Sequence, residues 1–137
     1  MIKKILLPLS VSLLAMTLAT SNAAPKVPSA SEIKAQQEKK YATEMVRMKK
    51  KDASKDAEAA KRLGFPYLLA HHAGRSASLV IPGLAQKDYK TAQARCPILI
   101  LDGLGDTIYG DQHMAYRKAA TDYAAQFNQI TYKACMR

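Results

Sequence analysis

The chain has 137 residues, 21 Lys and Arg against 11 Asp and Glu, and only two cysteines. That length suffices for one domain with a single core and is too short for two. The positive excess points to acidic partners.

The first 23 residues predict a cleavable secretory signal. Lys3 and Lys4 form a basic start, Ile5 to Ala19 an apolar run, and Ser21 and Ala23 put small side chains where a signal peptidase cuts. Cleavage near Ala23 is expected, which leaves a chain from Ala24 with 19 basic against 11 acidic residues, a net +8. The apolar run is shorter than the roughly 20 residues of a spanning helix, so no transmembrane span is expected in the mature chain. The implied address is the periplasm, where nucleic acid is no partner.

Residues 24–30, with Pro25 and Pro28, predict an extended leader, and residues 31–137 a single helical domain. Ser29-Ala30-Ser31-Glu32 matches a capping box, in which serine and glutamate satisfy each other's free backbone N–H groups, and sets a helix start near Ser31. From Glu32 to Leu63 there is no Gly or Pro, and good helix formers dominate. Asp52 or Ser54 could cap a second helix, so one helix or two (31–51 and 54–63) are both open. Gly64 followed by Phe65-Pro66 ends it. The alanines 53, 57, 59 and 60 leave that half either packed closely on a neighbour or projecting into solvent.

Proline at a first helical position and a closing glycine make residues 66–73 read as a short buried helix. Leu79 to Ile81 reads as helix and loop in preference to strand, leading into a helix over 84–95. Ile98 to Leu101 is four consecutive aliphatics, buried, and assignable by pattern to neither strand nor helix. The stretch from Asp102 through Asp106 to Asp111 is glycine-rich loop chemistry. Last comes an amphipathic helix of about six turns, with Tyr116, Ala120, Tyr123, Phe127, Ile130 and Ala134 on its inner stripe and Asp111 as its cap. The fold class expected is therefore all-α: about four helices with Gly- and Asp-rich loops, braced by one disulfide.

In an oxidising compartment, with no CxxC or haem spacing to compete, Cys96 and Cys135 are expected to pair. His71, His72 and His113 are the candidate metal ligands, but neighbours on a helix diverge by about 100° and no zinc spacing is met. Asp102, Asp106 and Asp111 lack the alternating oxygens and final glutamate of a calcium loop, and helix capping by Asp106 or Asp111 is the expected role. Ser76 and Ser78 lie near His71 and His72 without a nucleophile elbow. No cofactor and no catalytic residue is assigned, and the chain leans away from an enzyme.

Two binding functions remain. The leading expectation is a non-catalytic periplasmic protein that docks a protein partner, of inhibitor or immunity type. The alternative is a basic binder of anionic envelope surfaces such as lipid, lipopolysaccharide or wall polymer, through Arg47, Lys49, Lys50, Lys51, Lys55, Lys61 and Arg62. A small metal-dependent enzyme is a third.

Overall fold

A computed structural model describes residues 24–73, 78–105 and 110–137. The secretory signal, Ser76 and Asp106 lie outside the described residues. Residues 24–29 are exposed and carry no regular structure. Helix α1 runs Ala30–Met48, one residue ahead of the expected start, because Ser29 is the cap. The Ser29 side chain accepts from Glu32 N–H, and the Glu32 carboxylate accepts from Ser29 N–H at 2.7 Å. Helix α2 follows as Ala53–Arg62, with Asp52 accepting from the N–H groups of Ser54 and Lys55. The 31–63 stretch is thus two helices joined by an elbow at residues 49–52.

The all-α expectation is overturned: beside four helices the chain carries a small mixed sheet. Strand β1 is Leu68–His72, β2 is Leu79–Val80 and β3 is Ile98–Ile100, in the order β2-β1-β3. β1 pairs with β2 antiparallel, His71 opposite Val80, and with β3 in parallel, Leu68, Leu69 and Ala70 opposite Ile98, Leu99 and Ile100. The short helix expected at 66–73 is therefore a central strand. A strand covered on both faces is apolar at every position, and that continuous pattern resembles a buried helix turn. Leu68 to Ala70 are indeed all buried. Leu79–Val80 is strand where helix and loop were expected, and the expected 84–95 helix is a 3-10 turn at Gln86–Asp88 followed by α3, Tyr89–Arg95.

Helix α4, Asp111–Cys135, is the axis of the molecule. Gly110 occupies its cap and Asp111 its first turn, one residue from the capping role expected of Asp111. α1 and α2 lie along α4 one after the other and in its direction: Tyr41 stacks near His113 and Tyr116, and Asp56 meets Tyr123. Ala53, Ala57 and Ala60 let α2 approach closely, and with Ala124, Phe127 and Leu69 they form the core on one face of β1. Leu68, Ala70, Ile81, Ala92 and Cys96 form the core on the other face, under α3. Cys96 and Cys135 are joined as a disulfide, Cα atoms 5.6 Å apart, tying the end of α3 to the end of α4.

One side chain fastens sheet to helix. Extending the antiparallel register places Pro82 opposite Leu69, and proline has no N–H to give the ladder. Asn128 of α4, fully buried, takes the missing place. Its Oδ1 accepts from Leu69 N–H at 2.7 Å, and its Nδ2 donates to the carbonyls of Leu69 and Pro82, both at 2.8 Å.

Candidate anion-binding surface

The seven basic residues singled out in the sequence fall at the two ends of α2, about 15 Å apart by helix rise. Arg47, Lys49, Lys50, Lys51 and Lys55 surround the elbow, while Lys61 and Arg62 close the far end. The elbow exists because α1 loses its register at Met48 and Asp52 restarts a helix. Capping uses Asp52 fully: the Lys55 backbone N–H, ahead of the Lys55 charge and Ser54 N–H, holds its carboxyl below the usual range.

The carboxylates of this half are engaged by the chain's own groups, most of them at the surface. Glu32 belongs to the capping box, and the Ser29 backbone N–H lowers its pKa, followed by the Ser29 hydroxyl. The Glu38 carboxylate sits against Gly110 at the start of α4, where the helix dipole favours a negative charge. Glu44 pairs with Arg47 at 2.8 Å, Asp56 accepts from Tyr123 at 2.6 Å and Glu58 pairs with Lys61 at 2.8 Å. Lys55 reaches Asp52 at 3.5 Å. Among the described residues, Lys49 and Lys50 have no ion-pair partner, and both are exposed.

Lys51 takes a different partner. Its Nζ lies 5.2 Å from the centre of the Tyr123 ring, between two grooves of about 380 and 300 Å³ that share Met48, Lys51 and Tyr123. The first groove adds Lys49, Asp52 and Asp122, the second Arg47, Asp102 and Tyr116. Burial, and then the hydrogen bond to Asp56, push the Tyr123 phenol far above its usual value, so it stays a donor.

The candidate metal ligands do not come together. Adjacent side chains on a strand point to opposite faces. His71 is accordingly buried, its Nδ1 donating to the His72 carbonyl at 3.1 Å, and His72 is exposed. His113 is buried on α4, donating from Nε2 to the Gly103 carbonyl at 3.1 Å, with its ring 4.3 Å from that of Tyr41. Among the described residues no three His, Cys, Asp or Glu side chains gather as a metal-binding group. Asp102 stands exposed in the turn after β3.

Sequence reasoning missed how many of the acids are engaged by the chain's own groups, since charge counts carry no partners, though the i,i+3 spacings of Glu44 to Arg47 and Glu58 to Lys61 were visible. It also missed Lys51 over Tyr123, which joins residues 72 positions apart. Compared with known protein families, curated proteins and solved structures, the chain matches none.

Proposed function

We propose that this protein is an exported, non-catalytic binder of anionic envelope surfaces. The observation that supports this reading is the division of labour between charges. Five of the six carboxylates from Glu32 to Glu58 act as caps, ion-pair partners or hydrogen-bond acceptors and Glu38 lies against Gly110, whereas among the described residues Lys49 and Lys50 at the elbow form no ion pair. Cations left over by a fold are available to an external polyanion. The test is binding to lipopolysaccharide and to anionic lipid vesicles as ionic strength is raised, comparing the native chain with Lys49→Glu/Lys50→Glu. Binding is expected to fall steeply with salt, because exposed charges are screened within about 8 Å at physiological ionic strength. The double variant should bind more weakly than the native chain at each salt concentration. Salt-insensitive binding, or none, would defeat the reading.

A second reading, docking of a protein partner, draws on β3. It is an edge strand with alternate backbone groups directed away from β1, and Leu99 and Ile100 are 52% and 40% exposed. An extended segment of a partner can add to such an edge. Protection of the Ile98 and Ile100 amides from hydrogen exchange by a captured envelope protein would favour it, and unaltered exchange would not.

A further inference from the structure

The far end of α2 carries a feature that the elbow lacks. Three chain segments meet there: 58–65, 93–97 and 130–137. Pro66 lies beside the disulfide, its carbonyl oxygen 3.7 Å from Cys135 Sγ, and the Pro97 carbonyl accepts from Leu68 N–H at 2.9 Å. Arg95 donates from Nη1 to the Met136 carbonyl at 3.4 Å, which brings the ends of α3 and α4 together. Lys61 and Lys133 line a groove of about 350 Å³ between α2 and α4, with Arg137 at its end. Five cations, Lys61, Arg62, Arg95, Lys133 and Arg137, thus collect at one end of the molecule, and Glu58, paired with Lys61, is the sole side-chain carboxylate of the three segments.

Out of this collar stands a short apolar knuckle. Leu63 is 75% exposed and Phe65 is 78% exposed. Between them Gly64 turns the chain at φ +74°, with open space where a side chain would be. The α2 residues that face the core are Ala53, Ala57 and Ala60, so Leu63 and Phe65 have no part in packing. A polyanion alone would be satisfied by the collar. Two large apolar side chains held clear of the fold beside those cations match a layered target, with negative headgroups outside and hydrocarbon beneath.

We infer that this end seats the protein on an anionic lipid bilayer, the five cations meeting the headgroups while Leu63 and Phe65 enter the acyl region. The inference rests on the anionic-surface reading, names a bilayer as the ligand, and adds this far end of α2 to the elbow lysines as a second contact face. The contact is superficial: among the described residues no helix is long and apolar enough to cross a membrane.

The chain contains no tryptophan, so Phe65→Trp in the full mature chain places a single reporter at the knuckle. Its emission should shift to the blue on phosphatidylglycerol-containing vesicles and be quenched by lipids brominated on the acyl chains, with neither effect on pure phosphatidylcholine. Leu63→Ser/Phe65→Ser, both exposed and so neutral to the fold by circular dichroism, should lower the partition coefficient on the anionic vesicles by at least about tenfold. An unmoved Trp emission on vesicles that still bind the protein, or full binding by the double serine variant, overturns the insertion and leaves the anionic-surface reading standing. Binding to lipopolysaccharide with none to the vesicles does the same. If the native chain binds neither, both fall.

Discussion

Asn128 does for the sheet what a strand residue would do. A carboxamide carries one acceptor and two N–H donors, and the gap left by Pro82 offers one N–H and two carbonyls, so the match is complete. Asn128→Ala would leave those three buried backbone groups without partners, at about 1–3 kcal/mol each, so a loss of about 4 kcal/mol is expected in urea unfolding. A loss below about 1 kcal/mol would show that the helix–sheet joint lies elsewhere. Asn128→Asp should be comparably harmful, since a carboxylate would face two carbonyls. Tyr123 supplies a pH signature. A phenol with its pKa raised by folding is held neutral, and the stability this confers is intact below the unfolded value near 10. It is lost as pH climbs past that value, because the unfolded chain gives up a proton that the folded chain keeps. In a spectrophotometric titration of the seven tyrosines, Tyr123 should ionise only with alkaline unfolding, and Tyr123→Phe should remove that late step. Ionisation of every tyrosine together in the folded protein would contradict this.

Elements near α4 tolerate little thickening. Gly83 turns the chain after β2 at φ +81°, and a Cβ there would come within 2.7 Å of the Ala125 carbonyl oxygen and 2.9 Å of its Cα. Gly83→Ala combines a strained backbone with a clash against helix backbone, and should cost about 3 kcal/mol in thermal or urea unfolding. Gly64→Ala, with open space around it, meets the backbone strain alone and should cost less. The helices were readable beforehand for local reasons. Ser29 and Glu32 announce α1 and the stripe through Ala120, Ala124 and Phe127 marks α4, while Asp52 or Ser54 as a second cap leaves the sequence open to one helix or two over 31–63. β1 was not readable, because its conformation is decided by β3 some 30 residues on, and no local pattern in Leu68 to His72 speaks for strand over helix. Asn128 escaped for a related reason: on an amphipathic helix a polar residue on the inner stripe looks like an imperfection until its partner at position 69 is known. Of the candidate surface, the lysine run at 49–51 was legible as charge. The collar at the disulfide end was not, being assembled from segments that only the fold brings together.

At the scale of the whole molecule, the Cys96–Cys135 link closes a span of 39 positions and joins two of the three segments of the basic collar. On the chain-entropy account such a closure contributes about 4 kcal/mol. Cys96→Ala/Cys135→Ala should therefore unfold at markedly lower urea, and reduction of the native chain should produce a matching shift. Equal midpoints with and without the bond would mean that packing alone holds the ends of α3 and α4 together. Apart from the β1–β3 pairing, other long-range attachments converge on α4 as well: α1 through Tyr41, α2 through its alanines, β1 through Asn128. This arrangement dictates an order of events during synthesis. While a ribosome has made only the first 110 residues, α1 and α2 have nothing to lie on, and the gap at Pro82 is unfilled. The nascent chain at that stage holds the strands and the small core of Leu68, Ala70, Ile81, Ala92 and Cys96, but the core that Ala124 and Phe127 complete stays open until α4 emerges.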